Sequence, residues 1–501
     1  MLLLINNDIL ELIISISINQ NILLISKIFY KLGTKYKTIT LHFNSITNII
    51  SKTLKKKYKN VIVKYIYEQN VIINKEDYIT DLFIKTFNDN FINFHILDNL
   101  PISLHTLMLD SLLDHPINNL PQNLHTLTVG CDFNQKIDNL PENLHTLELD
   151  YDFNQTIDNL PEKLYTLILG CDFNQEINNL PKNLHTLILD YSFDKSINYL
   201  PENLHTLELG YIFNQKIDNL PKKLHILILG YNFNQIIEHL PENLHTLKLG
   251  YKFNQKIDNL PKKLYELQLG YKFNQKIDKL PENLYKLILG VNFNQKIDNL
   301  PKKLYGLKLG SQFNQKINYL PNNLYTLILG SQFNQIIDNL PNNLKELKLG
   351  HYFNQKIDNL PDTLEKLKLG YYFNQNIDKL PKNLYGLKLG YSFNKNINNL
   401  PINLKILELE DFQLDFNNIC DYLPINLSTL IFVGNFNKTI LKLPNNLIYL
   451  YLNQLDYNDT INFNITNYPL KLKKIVLSND SKFIIPSYLQ KYIHYKKYIT
   501  Y

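Results

Sequence analysis

The chain of 501 residues has no alanine, no arginine and no tryptophan, and it has only three cysteines. Without arginine it lacks the planar guanidinium group that binds phosphates and guanine edges through paired hydrogen bonds. The formal net charge of +6 is modest for this length, so we expect no nucleic acid among its partners. Three cysteines do not make a disulfide framework in so long a chain, which indicates a reducing compartment and predicts a cytoplasmic protein.

Long apolar runs are also missing. The apolar N-terminal stretch has no basic segment before it and is interrupted by Asp8, Glu11 and Gln20, so it does not follow the pattern of a signal peptide. No run in the sequence reaches the roughly 20 apolar residues that span a bilayer. We therefore expect no association with a membrane.

Proline, by contrast, recurs with a fixed period. Sixteen prolines occupy every twentieth position from Pro101 to Pro401, and the pattern around them returns with looser spacing at Pro424, Pro444 and Pro469. We number the sites of each 20-residue unit from its proline, and we call the residues at one site of successive units a column. Such self-similarity is typical of a solenoid in which each unit packs on its neighbours.

One unit, residues 241–260, predicts a short strand and no helix of useful length. Leu247 and Leu249 alternate with polar residues, and Gly250 and Pro261 interrupt the chain on either side. Stacked units would pair these strands in a parallel sheet with a spacing of about 4.8 Å. The side chains expected to be buried are Leu244, Leu247, Leu249, Phe253, Ile257 and Leu260.

Three columns predict the interior and the turns. Site 13 is phenylalanine in all 14 units from Phe133 to Phe393, which predicts a stack of rings inside the coil. Site 14 is asparagine in these units except at Asp194, and such a column of amides is expected to bond to the turns of neighbouring coils. Site 5 is often histidine, but Tyr165 takes the same place and is a poor zinc ligand, so we predict an aromatic ladder and no metal.

Sites 6 and 8 vary while the buried sites do not. They flank the buried leucine at site 7, and alternate residues of a strand face opposite sides, so both sites are predicted on the open side of the sheet. Site 8 becomes basic in the later units, at Lys308, Lys348, Lys368 and Lys388. Like charges side by side do not favour folding. We therefore predict that these four lysines bind an acidic protein partner.

Catalytic patterns do not stand out from the repeat. The sequence has no glycine-rich phosphate loop, no paired carboxylates and no nucleophile beside a base outside the repeated columns. An active site is expected to interrupt a repeat and not to follow it. We therefore predict a protein without catalytic residues, metal or cofactor.

The repeat also resembles known families. Leu-x-x-Leu-x-Leu followed by a turn and an asparagine resembles the leucine-rich repeat, and Phe253-Asn254-Gln255 with Ile257 and Leu260-Pro261 resembles the FNIP repeat. Lys256 stands where many members of that family have a proline. The resemblance implies a leucine-rich-repeat-like solenoid that binds proteins, of the type found in amoebae and giant viruses.

The N-terminal residues are similar to the F-box in two apolar stretches, Asp8-Ile9-Leu10 with Ile13 and Leu24–Lys27 with Phe29 and Leu32. Ile5-Asn6 stands where the F-box has Leu-Pro. The resemblance implies a helical module that binds the Skp1-type adaptor of a cullin ubiquitin ligase. The residues implied in that contact are Ile9, Leu10, Ile13, Ile25 and Phe29. The alternative is an apolar helical cap on the first coil, in which case the chain is a free-standing scaffold.

The fold class expected from these patterns is a repeat solenoid, a leucine-rich-repeat-like stack of 20-residue coils with a parallel β-sheet on one face, preceded by a small helical module. The predicted parts are an F-box-like helical segment at 1–45, a connector with an incomplete first coil at 46–100, regular repeats at 101–410, degenerate repeats at 411–480 and a C-terminal cap at 481–501. We expect a monomer that binds a protein target.

Overall fold

The computed structural model describes residues 38–43, 60–65, 80–84, 95–109, 114–410, 422–433, 443–453, 461–462, 469–478, 483–484 and 487–496. The chain divides into two compact units, residues 1–250 and residues 251–501. We call them the N-terminal unit and the C-terminal unit and describe each by itself.

The N-terminal unit is built from short parallel strands joined by turns. Its strands are β1 (Thr38–Phe43), β2 (Asn60–Tyr65), β3 (Asp81–Ile84), β4 (Thr106–Leu109), β5 (Thr126–Val129), β6 (Thr146–Leu149), β7 (Thr166–Leu169), β8 (Thr186–Leu189), β9 (Thr206–Leu209), β10 (Ile226–Leu229) and β11 (Thr246–Lys248). They pair in chain order, each parallel to the next. A short helix, α1 (His95–Asp98), precedes β4.

The C-terminal unit repeats this arrangement. Its strands are β12 (Glu266–Gln268), β13 (Lys286–Ile288), β14 (Gly306–Lys308), β15 (Thr326–Ile328), β16 (Glu346–Lys348), β17 (Lys366–Lys368), β18 (Gly386–Leu389), β19 (Ile406–Glu410), β20 (Thr429–Val433), β21 (Tyr449–Asn453), β22 (Ile461–Asn462), β23 (Lys474–Ser478), β24 (Phe483–Ile484) and β25 (Ile493–Lys496). From β12 to β21 neighbours pair in parallel, and the sheet continues through β23 and β25. A 3₁₀ helix (Ser487–Tyr492) precedes β25.

The register of the sheet follows the period of the sequence. Leu287 pairs with Leu307 and Leu307 with Leu327, so site 7 meets site 7 in every neighbouring coil. A period of 20 residues with one strand in each coil produces this alignment, because a slip of one residue would turn the buried leucines to solvent. The prediction of a parallel, leucine-rich-repeat-like solenoid is confirmed.

The core lies between the sheet and the returning arc of each coil. In the coil that begins at Pro261, Leu264, Leu267 and Phe273 are fully buried, and Ile277 is 4% exposed. The prediction of six buried sites was wrong at site 20, where Leu260 is only half-buried. The neighbouring proline takes the inner place, since Pro261 is buried at the corner where its fixed backbone angle starts the next turn.

Turns limit each strand to three to five residues within the regular repeats. At the start of a coil, the backbone N–H of Leu244 donates to the carbonyl of Pro241 at 3.0 Å and closes a tight turn. At the end of the strand, site 10 is glycine in most coils because the backbones approach closely there. A Cβ atom at Gly310 would overlap the carbonyl oxygen of Gly290.

The predicted interior columns are confirmed. Phe273 and Phe293 stack with ring centroids 6.1 Å apart and planes within 7° of parallel, and the same geometry recurs along the column. At site 14, the side-chain oxygen of Asn134 accepts a hydrogen bond from the backbone N–H of Asn154 at 3.0 Å. The amide column therefore satisfies turn backbone one coil further on, as expected for a polar group at a solenoid corner.

Three strands in the N-terminal unit precede the first regular repeat. β1 lies inside the range predicted as a helical segment, and β2 and β3 lie inside the predicted connector. For residues 38–43 the helical prediction is corrected, because these residues pair in parallel with β2. In the sequence, Ile39 and Leu41 alternate with threonine and histidine, a pattern typical of a strand. At the other end of the chain, the predicted cap contains β25, which pairs with β23.

Candidate interaction surface

The open side of the sheet is formed by sites 6 and 8, as the alternation of the strands predicted. In β6 the exposure alternates, with Thr146 and Glu148 half-buried and Leu147 and Leu149 buried. In β17 the same two sites are on the surface, since both Lys366 and Lys368 are exposed around a buried Leu367. These two sites carry the side chains that a molecule lying on the sheet would touch.

Threonine dominates this face in the N-terminal unit. From β4 to β9 the residues at site 6 are in register: Thr106, Thr126, Thr146, Thr166, Thr186 and Thr206. Site 8 adds Glu148 and Glu208 to the same surface. Because site 8 also carries Met108, Ile168 and Ile188, this part of the sheet is a threonine-rich surface with apolar and acidic residues.

Charge dominates the face in the C-terminal unit, where the four predicted lysines lie. Lys308 and Lys368 are exposed, whereas Lys348 and Lys388 are half-buried. Lys308 lies between Ile288 and Ile328 in neighbouring strands. The structure brings the other three together, because Lys348 pairs in register with Lys368, and Lys368 with Lys388.

Two of these lysines have carboxylate partners. Lys348 Nζ lies 3.0 Å from Glu346, two residues earlier in its own strand. Lys388 Nζ lies 2.5 Å from Glu408 and 3.2 Å from Glu410, both on the next strand. The interpretation that folding does not account for the lysine series was therefore wrong for these two. Sequence reasoning missed Glu408 and Glu410 because it followed only the basic residues along site 8, although Glu408 occupies the same site.

The remaining pair, Lys308 and Lys368, forms no ion pair within the described residues. Partial desolvation lowers the pKa of Lys368, and the charges of Lys388 and Lys348 lower it further against the opposing effect of Glu408 and Glu410. Burial by itself also lowers the pKa of Lys388, but the hydrogen bond and charge of Glu408 outweigh it, so that pKa lies above its ordinary value. Of the three lysines in register, Lys368 is therefore the one that forms no ion pair with the described residues.

Site 5 forms the predicted aromatic ladder beside the sheet. His205 and His225 stack with centroids 4.1 Å apart, and Tyr165 stacks on His185 at 4.5 Å in the same manner. Burial lowers the pKa of His205, and the neighbouring His225 and His185 lower it further. Together with the asparagines and lysines of site 3, this ladder lines a shallow groove of about 590 Å³.

The C-terminal unit has the equivalent groove with tyrosines in place of histidines. Tyr285 and Tyr305 stack at 4.7 Å, and together with Lys303 and Lys345 they line a groove of about 520 Å³. Where the chain is described, no cluster of three or more histidine, cysteine or acidic side chains is placed to hold a metal ion.

A further aromatic cluster was not predicted. His351 stacks on Tyr371 at 4.7 Å, and Tyr371 stacks on Tyr391 at 4.6 Å. Beside them Tyr352 and Tyr372 stack at 5.1 Å, and each is 45% exposed. The signal in the sequence was the occurrence of an aromatic residue at both site 11 and site 12 of two consecutive units.

The predicted adaptor-binding residues Ile9, Leu10, Ile13, Ile25 and Phe29 lie outside the described residues. Of the helices that the structure does describe, none has the length and apolar character needed to cross a membrane.

The comparisons with known proteins agree with this architecture. The family model of the FNIP repeat matches residues 133–172, 173–212, 196–232, 213–239, 233–272, 273–312 and 333–372. The crystal structure of CroV588, described as a novel circular LRR protein, is 30% identical over 90% of this chain and 83% of that chain, with a TM-score of 0.59. The chain belongs to the FNIP repeat family.

Membership of the FNIP repeat family explains the columns, because the same 20-residue unit is repeated along the chain. A second solved structure, YopM from Yersinia enterocolitica WA-314, is 19% identical over 90% of this chain and 94% of that chain, with a TM-score of 0.46. No curated protein matches the sequence. The FNIP coils thus form a leucine-rich-repeat-like solenoid whose inner sites are constant and whose open sheet face varies along the chain.

Proposed function

We propose that this FNIP solenoid is a protein-binding scaffold and that the open face of its sheet is the binding surface. One observation carries the proposal. The buried sites repeat the same residues from coil to coil, whereas sites 6 and 8 change between threonine, glycine, acidic and basic residues on a surface that is open to solvent. The packing that keeps the coils folded explains why the residues at the inner sites are constant. Contact with a particular partner explains why the residues on the outer face vary.

The partner proposed for the C-terminal unit is acidic. Lys308, Lys348, Lys368 and Lys388 lie on one face, and positive charge on a sheet increases the rate at which an acidic surface associates. The proposal assigns no reaction to the chain. It treats the protein as a cytoplasmic monomer, in keeping with Cys131 and Cys171, neither of which forms a disulfide bond.

Site-specific photocrosslinking tests this proposal with a matched pair of positions. A photoreactive amino acid replaces Lys308 at site 8 in one variant and the equally exposed Lys316 at site 16 in the other. A partner on the sheet gives crosslinked adducts from position 308 and few from position 316. Equal yields at the two positions, or adducts from 316 alone, would place binding away from the sheet.

A finer role, adaptor in a cullin-type ubiquitin ligase, rests on the F-box-like sequence at 1–45. In this proposal Ile9, Leu10, Ile13, Ile25 and Phe29 bind a Skp1-type adaptor while the sheet holds the target. The test is co-precipitation of a purified Skp1-type adaptor with the full chain and with a chain that lacks residues 1–45. Binding by the full chain alone supports the ligase role. If neither chain binds, the protein is a free-standing scaffold.

A further inference from the structure

The unpredicted aromatic cluster forms a rigid patch at the turns that follow three consecutive strands. We call His351, Tyr352, Tyr371, Tyr372 and Tyr391 the aromatic patch. Its rings hold one another in place. His351 meets Tyr352 edge-on at 4.9 Å, and Tyr372 packs edge-on against both His351 and Tyr371, at 5.1 Å and 4.9 Å.

Fixed, partly exposed tyrosines are well suited to binding. A tyrosine whose ring is already held by its neighbours loses little conformational entropy when a partner packs against it, and tyrosine is enriched among the residues that dominate interface energies. Tyr352 and Tyr372 each leave 45% of their surface open to solvent. Other units have a polar or aliphatic residue at site 12, such as Gln312 and Gln332. The fold therefore does not require an aromatic residue there.

The same coils hold Lys368, which forms no ion pair with the described residues. Lys368 belongs to the coil of Tyr371 and Tyr372 and precedes Tyr372 by four residues. Its neighbours in the sheet, Lys348 and Lys388, both have glutamate partners in the C-terminal unit, but Lys368 has none within the described residues. A carboxylate from another molecule beside Lys368 would relieve the repulsion among three lysines in register.

We propose that Lys368 and the aromatic patch form one binding site for an acidic protein segment that carries aromatic or other apolar side chains. Lys368 binds a carboxylate of this segment, and the exposed faces of Tyr352 and Tyr372 pack against one of its apolar side chains. The inference rests on the proposed function and deepens it, because it selects one part of the sheet face and states the chemistry of the partner.

Lys308 provides the internal control. It occupies the same site 8, is exposed, and forms no ion pair with the described residues. However, Ile288 and Ile328 flank it in the neighbouring strands, and its own turn has Ser311 and Gln312 in place of aromatic residues. If positive charge alone attracts the partner, Lys308 and Lys368 contribute equally. If the site is the one proposed, Lys368 contributes more than Lys308.

The experiment uses the full chain and fluorescence anisotropy with three labelled probes of equal length: a random copolymer of glutamate and tyrosine, a polyglutamate, and a thymidine oligonucleotide. We expect the copolymer to bind most tightly at low salt. Lys368→Gln should weaken its binding by about fivefold, the effect of one partly exposed ion pair, and Lys308→Gln should weaken it less. Lys316→Gln, which lies outside the open face of the sheet, should leave it nearly unchanged. Circular dichroism shows whether each variant is folded.

A second variant tests the tyrosines. Tyr352→Gln with Tyr372→Gln copies residues found naturally at site 12, so the coils should still fold, and it should weaken copolymer binding by about tenfold while polyglutamate binding changes little. Equal losses from Lys308→Gln and Lys368→Gln, a copolymer preference that survives the double change, or absence of copolymer binding at low salt would each overturn the inference. Equally tight binding of the oligonucleotide with the same dependence on Lys368 would assign the site to phosphates. In all these cases, crosslinking at position 308 tests the sheet face separately and decides the broader function.

Discussion

The side-chain oxygen of Asn274 accepts a hydrogen bond of 2.9 Å from the backbone N–H of Asn294, one coil further along the chain. It also accepts one of 3.2 Å from the side-chain amide of Gln295. One amide thus supports the turn of the next coil, and the relationship repeats at site 14. This column is one of the connections between neighbouring coils outside the sheet, together with the phenylalanine stack.

Replacing one member of the column should weaken the solenoid locally. Asn274→Ala removes the acceptor of the Asn294 amide, and we expect a loss of about 1 kcal/mol in the free energy of unfolding, because water partly replaces the bond at this exposed corner. Asn274→Asp is the control, since Asp194 occurs naturally in the column and accepts from the backbone N–H of Asn214 at 2.9 Å. Urea unfolding compares the two. A loss as large for aspartate as for alanine would contradict the role of the acceptor.

A ring removed from the phenylalanine stack should have a larger effect. Phe273 is fully buried between Phe253 and Phe293, so Phe273→Ala should cost about 3 to 5 kcal/mol. Since coils contact only their neighbours, limited proteolysis should produce new cuts near residues 255–290. Tyr319→Ala, which changes a ring that is 69% exposed, should give the parent pattern. Cuts spread evenly over the chain in the Phe273 variant would disprove one-dimensional stability.

Two glycines of one coil should respond in opposite ways. A methyl group at Gly310 would overlap the backbone carbonyl of Gly290, so Gly310→Ala should destabilise the protein by about 1 to 3 kcal/mol. At Gly306 the nearest atom is Lys286 Cγ at 3.8 Å. There alanine should be neutral or stabilise by up to about 1 kcal/mol, because it restricts the unfolded chain. Thermal unfolding of the two variants measures both effects. Equal shifts of the melting temperature would contradict the close contact between Gly310 and Gly290.

The histidine ladder should make the N-terminal unit sensitive to acid. Burial and the neighbouring histidines lower the pKa of His125 and His205 below the ordinary value of 6.5, so the folded state binds protons less readily than the unfolded chain. The stability from these groups is therefore complete above pH 6.5 and declines as the pH falls through and below that value. Hydrogen exchange, corrected for intrinsic rates, should show reduced protection of the ladder coils at pH 5.5.

A tyrosine in the ladder should reduce that sensitivity. Tyr165 already stacks on His185 at 4.5 Å, so His205→Tyr should preserve the stack and remove one titrating group. The coils around Tyr305 are the internal reference, since burial and Tyr285 raise the pKa of Tyr305 and its phenol stays neutral at these pH values. An acid response of the same size in these coils and in the histidine coils would show that it does not arise from the imidazoles.

The N-terminal prediction concerns binding and not stability. Leu10→Asp with Ile13→Asp should abolish co-precipitation of a Skp1-type adaptor, because a charged side chain cannot replace an apolar one in a buried interface. Lys27→Gln, a change within the same segment, serves as the control. Unchanged co-precipitation by the double variant of a binding parent would remove these residues from the contact.

The repeated part of this structure was predictable because a strict period places equal residues in register. Leu267, Phe273 and Asn274 each meet their own kind in the next coil, so their burial or bonding follows from one unit. The 20-residue period did not predict β1 to β3, because these strands lie outside the region of regularly spaced prolines. It also did not separate Leu260 from the fully buried sites, since the corner proline competes with it for the interior.

The sequence by itself determined that the chain forms a parallel solenoid, which columns lie inside, and that sites 6 and 8 face outward. Only the tertiary structure decided how the surface charges and rings combine. Lys348, Lys368 and Lys388 are identical in the sequence pattern, yet the first is paired within its strand, the last is held by Glu408 and Glu410, and the middle one has no carboxylate among the described residues. Which carboxylate a long lysine side chain contacts depends on the length of the side chain and on local packing, and a 20-residue period encodes neither.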